Sequence, residues 1–306
     1  MSVRLRLEAA RLKRPYAVVW GNCQASAVRR LLKASPGFAG RFDVAWLPGV
    51  HEVSADQLPV VRRIVEGADV AIVQPVRDGY RGLAVGTEEI LAHNAKEPTV
   101  LRYPAIYYTG LHPYLVYVHA TGELGTPMPV TGGYHDLRFI SVASSGAMGR
   151  EAESRLLSLV GDEEALRRNA QESLSELARR ELSLDVRVSH RIDALGVEAV
   201  WTVNHPSNAL LSEVATQVSG HLGLEGTPAP GMQELLQSVV SPVHADVRAA
   251  LKRPVDGSNE WKVDGTAHHD LSVMHAHLAH YRDNPRVLQV AQDEHAEKLG
   301  RFGLIN

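Results

Sequence analysis

Over the first hundred residues, short apolar runs alternate with stretches of helical periodicity. Ala17 to Trp20 is unbroken apolar sequence and predicts a short buried strand. Gly21 and Asn22 break the run with residues suited to a tight turn. From Gln24 onward, apolar residues return at Ala27, Val28, Leu31 and Leu32, with Arg29, Arg30 and Lys33 on the opposite face, the pattern of an amphipathic helix. A Pro- and Gly-bearing turn over 35–40 leads to a second apolar run, 42–47, stopped by Pro48 and Gly49. Ser54 and Gln57 have capping-box spacing ahead of a helix with Leu58, Val61, Ile64 and Val65 on its apolar face, closed by Gly67. The run 69–74 predicts a third strand, ended by Pro75. A polar loop over 77–86 follows, then a helix from Thr87 to about Asn94, then a fourth short strand over 99–102.

Beyond residue 102 the pattern loosens. The stretch 103–119 carries Tyr103, Tyr107, Tyr108, Tyr114 and Tyr117 together with His112 and His119. Pro104, Gly110 and Pro113 argue against a plain helix there. Its tyrosines suit either a pocket wall or packing over a sheet edge. Residues 121–133 read as a loop. From about Gly146, helical spacing with dense charge returns over 150–160, 162–182 and 185–195. The run 197–203 predicts another strand. Asn204-His205-Pro206-Ser207-Asn208 follows at once, with Pro206 placed for the first turn of a helix that has Leu210, Leu211, Val214, Ala215 and Val218 on one face. The last eighty residues read as helical and loop-rich. They hold seven of the fifteen histidines, six of them, His268, His269, His275, His277, His280 and His295, clustered over 268–295. Without an accompanying cysteine or HExxH signal, this predicts a histidine-rich exposed helix rather than a metal site.

These patterns predict an α/β fold: a parallel sheet with flanking helices, a helix-rich insertion over about 146–195 within a domain spanning 15–225, and a helical C-terminal extension over 226–306. No internal repeat, P-loop or GxGxxG motif is present. In parallel sheets, ligands bind beyond the carboxyl ends of the strands. Cys23 stands at one such end, and Gln74 with Pro75 at another.

Composition narrows the classes. The chain has 306 residues, with 44% hydrophobic and 22% charged positions and a net charge of -3. That balance gives no reason to expect nucleic acid or an acidic membrane surface as partner. No apolar run approaches the roughly 20 residues that span a bilayer. The basic segment 1–14 lacks the apolar core of a secretory signal and reads as an amphipathic helix or a frayed extension. The single cysteine fits a reducing compartment, so the protein is expected to be cytoplasmic.

Candidate chemistry concentrates at two polar turns. Cys23 sits where a helix begins, where unpaired amides depress a thiol pKa and offer a place for an oxyanion or a phosphate. It also fits as a small buried residue at a tight junction. His205 suits a general base or acid, and equally a member of the cap network of the helix that follows.

Together, Gly21-Asn22-Cys23-Gln24, Gly110-Leu111-His112-Pro113-Tyr114 and Asn204-His205-Pro206-Ser207-Asn208 resemble the WcbI family of polysaccharide-biosynthesis proteins over roughly residues 15–225, a resemblance that implies acetyltransferase activity. A more distant similarity to SGNH hydrolases implies an SGNH- or flavodoxin-like three-layer core. The departures are a cysteine in place of serine, and Thr202 where those enzymes carry an aspartate three residues before the histidine; Asn204 or Asn208 would have to orient His205. The resemblance implies a CoA-dependent acyltransferase, with coenzyme A or acetyl-CoA as acyl donor and no metal, acting on a sugar or related hydroxyl. Cys23, His205 and His112 would be catalytic. Gly21, Asn22 and Gln24 would meet the cofactor, and Tyr107, Tyr108, Asn204 and Asn208 the substrate. Arg29, Arg30, Arg77, Arg81 and Arg102 are candidates for the coenzyme phosphates. An esterase or thioesterase of the same fold and a non-catalytic binding protein are the alternatives, and self-association as a homo-oligomer is open.

Overall fold

The computed structural model describes residues 15–119, 129–228, 231–254 and 259–305. The basic N-terminal stretch and most of the loop expected over 121–133 lie outside the described residues. The chain divides into two compact units. One takes the chain up to Ile106 with Glu176–Ala199 and Pro206–Leu236, and the other takes Tyr107–Ser175, Val200–His205 and Gln237–Asn306.

The first unit is built on a four-stranded parallel sheet. Its strands are β1 (Tyr16–Trp20), β2 (Asp43–Val44), β3 (Val70–Val73) and β4 (Thr99–Arg102), in the order β2-β1-β3-β4. Ala17 faces Val70 and Trp20 faces Val73; Val70 in turn faces Thr99, and Val73 faces Arg102. β1 and β3 are buried along their whole length, which is why they read as continuous apolar runs rather than alternating ones. Helix α1 (Cys23–Ala34) buries Ala27, Val28, Leu31 and Leu32, the face read from the sequence. Helix α3 (Leu58–Glu66) buries Leu58, Val61, Ile64 and Val65. These α3 residues close a core with Val18, Trp20, Ala71 and Val73.

Three expectations for this half change. The second strand shortens to Asp43–Val44. Residues 35–40 are not only a turn: α2 (Pro36–Arg41) occupies them, with proline at its first position. The helix at Thr87 is brief, α4 (Thr87–Leu91). The Thr87 hydroxyl accepts from the Val76 amide and donates to the Gln74 carbonyl, so it staples the exit of β3. Later segments of the unit add α8 (Ile192–Leu195) and α9 (Asn208–His221).

The second unit is mixed. β5 (Leu115–Tyr117) pairs antiparallel with β6 (Tyr134–Asp136), which runs directly into α5 (Leu137–Ser144). Helix α6 (Gly149–Ser158) and the first part of α7 (Glu163–Glu181) occupy the helix-rich stretch. The strand expected over 197–203 is β7 (Val200–Thr202), which folds back onto β8 (His205–Pro206) as a two-stranded ribbon. The C-terminal region is not all helix and loop. Three strands, β9 (Val239–Val240), β10 (Glu260–Val263) and β11 (Thr266–His269), form an antiparallel sheet in the order β11-β10-β9. Helix α10 (Ala245–Ala250) lies between β9 and β10 in the chain, and α11 (Asp270–Asp283) and α12 (Pro285–Arg301) follow the sheet.

Leu115, Tyr134, Phe139, Val142, Trp261, Val273 and Met274 form the core of this unit. Arg138 lies buried in it, 2.7 Å from Asp136 and 3.1 Å from Asp270, whose other oxygen accepts from the Trp261 indole at 2.8 Å. The expectation of a histidine-rich exposed helix is corrected here. His277 is buried because it shares the α11 face of Val273, Met274 and Tyr281, spaced three and four residues apart.

Candidate functional site

The turn between β1 and α1 is held by an amide network. Asn22 is the N-cap of α1, and its side-chain oxygen accepts from the Gln24 amide at 2.9 Å. The Asn22 amide donates to Gln74 Oε1 at 2.9 Å. Gln74 Nε2 donates to Gln24 Oε1 at 3.0 Å and to the Pro104 carbonyl at 3.2 Å. Gln24 Nε2 donates to the Ile106 carbonyl at 2.7 Å, and Gln24 Oε1 also accepts from the Ile106 amide at 3.0 Å. Gln24 is fully buried, so its side chain ties β1's exit to the segments leaving β3 and β4 and has none of its polar capacity turned to solvent. Gly21 is required by close approach, since a Cβ there would stand 2.2 Å from Gln74 Oε1.

Cys23, half-buried, opens α1 on this scaffold. Its own amide and that of Gln24 hydrogen-bond the sulfur and favour the thiolate, the effect expected at a helix start. Burial outweighs them, and the Glu52 carboxylate adds to it, so the thiol pKa is raised rather than depressed. At neutral pH Cys23 is a protonated thiol.

Tyr103 directly follows β4, its amide donating to the Val73 carbonyl at 3.0 Å. Its ring is wholly buried, and its hydroxyl has no hydrogen-bond partner among the described residues. Leaving such a group unpaired costs on the order of 1–3 kcal/mol. Burial, together with the charge of a Cys23 thiolate, pushes the phenol pKa well up, so the hydroxyl stays protonated.

Among the arginines considered for phosphates, Arg29 and Arg30 line an open groove of about 650 Å³ with Ser26, Lys33, Trp46 and Met232. Ser26 is one helical turn from Cys23 on the same helix. Among the described residues, no carboxylate lines the groove. Arg102 pairs with Glu88, and Arg81 donates to the His51 carbonyl. Asn208, also in this unit, latches a loop: its side chain donates to the Gln233 carbonyl at 3.0 Å and accepts from the Leu235 amide at 3.1 Å.

The other expected site residues belong to the second unit. Asn204 Oδ1 accepts from Tyr134 at 2.5 Å and from Tyr117 and Thr202 at 3.3 Å each. His205 packs edge-on to the Tyr134 ring, 5.9 Å between centroids. Its Nδ1 is buried without a partner, so neither asparagine orients it through that atom. Desolvation lowers its pKa to about 4. His112 is a core residue, with Nε2 3.2 Å from the Val200 carbonyl and a pKa likewise lowered to about 4 by burial. Tyr108 is buried, its ring close against Gly110, whereas Tyr107 remains exposed. Among the described residues, no group of three or more His, Cys, Asp or Glu could hold a metal ion, and no helix is long and apolar enough to cross a membrane.

Sequence reasoning missed the roles of Gln74 and Tyr103. The available signal was position, since each directly follows an apolar strand at its carboxyl end.

The family model described as polysaccharide biosynthesis enzyme WcbI matches residues 16–227. No curated protein matches the chain. A solved structure of WcbI, described as a novel polysaccharide biosynthesis enzyme in its native form without a disulfide bond between coenzyme A and one of its cysteines, is similar to 94% of this chain. It is covered over 99% of its own length, with a TM-score of 0.77 and 21% identity.

Proposed function

Because the chain belongs to the WcbI family of polysaccharide biosynthesis enzymes, we propose that it is a CoA-dependent O-acyltransferase that acylates a hydroxyl of a saccharide or polysaccharide precursor. The observation that carries this reading is the place of Cys23. It is the only cysteine of the chain, and it heads a helix at the carboxyl end of a central parallel strand. The solved WcbI structure reported above is described in terms of coenzyme A and a cysteine, which supports a coenzyme thiol meeting this residue.

Two forms of transfer follow. In the covalent form, the Cys23 sulfur attacks the thioester carbonyl, the carbon–sulfur bond to coenzyme A breaks, and the coenzyme leaves as its thiol; the acceptor hydroxyl then takes the acyl group from Cys23. In the direct form, the acceptor oxygen attacks the thioester itself and Cys23 only shapes the site. The raised thiol pKa favours the direct form, because a neutral thiol is a poor nucleophile. His205, a candidate base from the sequence, has its pKa lowered to about 4 by burial, so it is neutral at physiological pH but a weak base. The groove of Arg29, Arg30 and Lys33 would take the coenzyme phosphates, with Trp46 available to stack on the adenine.

The test is a thermal-shift titration with coenzyme A and acetyl-CoA. Ligand at a hundredfold excess over Kd stabilises the native state by about 2.7 kcal/mol, a rise of roughly 5 °C. Replacing Arg30 and Lys33 together with Glu should remove most of that rise at low salt. The absence of any shift at millimolar coenzyme would overturn the reading.

A further inference from the structure

We infer that the pocket beyond the carboxyl ends of β3 and β4 is the acceptor site, and that it takes one sugar unit bearing a phosphate or a carboxylate, held by Arg180. Calling that sugar the acceptor rests on the acyltransferase reading.

The pocket measures about 310 Å³. It is lined by Pro75, Pro104 and Ala105 from the strand exits, and by Arg179, Arg180 and Ser183 from the end of α7 and the turn after it. That size is the lower end for small-ligand sites and suits one sugar unit better than a whole coenzyme. Its place follows from the chain. Pro75 is the peptide neighbour of Gln74, whose Nε2 donates to the Pro104 carbonyl at 3.2 Å. The same side chain accepts from the Asn22 amide at 2.9 Å, so one residue joins the pocket wall to the turn that carries Cys23. The groove of Arg29, Arg30, Lys33 and Trp46 lies toward the other edge of the sheet. Trp46 stands just past β2, and Arg29 Nε donates to the Ala45 carbonyl at 3.0 Å. In the order β2-β1-β3-β4, the Cys23 turn at the end of β1 therefore has one opening toward β2 and one toward β4. Acyl transfer joins two substrates, and the wider groove has the room for the coenzyme.

Arg180 selects the ligand class. A guanidinium has five N–H donors. Among the described residues, that of Arg180 makes one hydrogen bond, from Nη1 to the Ala105 carbonyl at 3.2 Å, which fixes it at the pocket wall. Its Nε is sealed from solvent without a hydrogen-bond partner among those residues, and Glu176 Oε1 stands 3.5 Å away. Arg179 is already occupied: its Nε and Nη2 close on Glu176 at 2.7 and 2.8 Å. Two arginines thus share one carboxylate, and the pocket keeps a surplus positive charge with donors to spare. A planar guanidinium pairs with two oxygens of a phosphate or carboxylate at once. The two prolines give rigid apolar walls to the C–H face of a sugar ring.

The test is saturation-transfer difference NMR with glucose 1-phosphate, glucuronate and glucose, without coenzyme. At least one of the two anionic sugars should bind saturably, which also tells phosphate from carboxylate, and glucose should bind far more weakly. Arg180→Gln should weaken that binding about tenfold or more. Ser183→Glu, an exposed change that sets a carboxylate at the rim, should do the same and decides the question if Arg180→Gln folds poorly. Neither variant should alter the thermal shift given by coenzyme A. No saturable binding of either anionic sugar, binding that glucose matches, or binding that survives both variants overturns the inference. A coenzyme shift lost in Arg180→Gln assigns the pocket to the coenzyme and overturns it too. If wild type shows no coenzyme shift but binds the anionic sugar through Arg180, the acyltransferase reading fails and the anionic-sugar site stands.

Discussion

Replacing Gln24 with Leu is the sharpest test of how the Cys23 turn is held. Leucine has nearly the volume of glutamine and removes both amide atoms. In the native protein those atoms accept from the Ile106 amide at 3.0 Å and donate to its carbonyl at 2.7 Å. Ile106 is 1% exposed, so water cannot replace either bond. Two orphaned backbone groups cost about 1–3 kcal/mol each. Gln74 loses one acceptor and keeps the Pro104 carbonyl, so its share is small. Burying leucine in place of an amide returns roughly 1–2 kcal/mol. The net loss is therefore about 1–4 kcal/mol, a large part of the roughly 5–15 kcal/mol that holds a typical domain. Urea denaturation of the wild type and Gln24→Leu, with the slope held common, measures it directly. A loss under about 1 kcal/mol would refute the claim that the glutamine ties three strand exits together. A variant of full stability with weakened coenzyme binding would show that Gln24 faces a ligand, as the sequence motif first implied.

Two further perturbations probe the second unit. Arg138→Met leaves Asp136 and Asp270 as buried carboxylates without their cation, and should cost about 3–5 kcal/mol in chemical denaturation; a neutral result would mean that the carboxylates take up protons at no cost. Stability should also fall on mild acidification. Burial lowers the pKa of His112 and His205 to about 4 and of His135 and His277 to about 3. Above about pH 6.5 both folded and unfolded chains hold these residues neutral, so they contribute no slope there. As pH drops through 6.5 toward 4, the unfolded chain gains protons that the native one refuses, so each histidine subtracts up to about 1.4 kcal/mol per pH unit. Urea midpoints at pH 7.5 and 5.0 that coincide would contradict this burial.

What the sequence disclosed and what it withheld follow one physical line. β1, β3 and α1 were legible because a strand buried on both faces must be apolar throughout, and a helix buried on one face must be apolar at every third or fourth position. The β10–β11 hairpin was equally legible and was passed over: Asp264-Gly265, with φ of 48° and 82°, is a two-residue turn between Val263 and Thr266, the strongest short-range hairpin signal a sequence carries. Polar residues were different in kind. Periodicity put His277 on the face of Met274 and Tyr281, but its polarity argued for solvent, and only the packing of α11 against Phe139 and His135 decides the matter. Cys23 shows the same limit most clearly. The local rule, that a helix start lowers a thiol pKa, does operate here through two amides. The opposing contributions come from elsewhere, from burial and from Glu52, 29 positions along the chain. A motif can therefore point to a candidate atom, while its protonation state belongs to the fold. That is why GNCQ alone could identify where to look and still mislead about the state of the thiol found there.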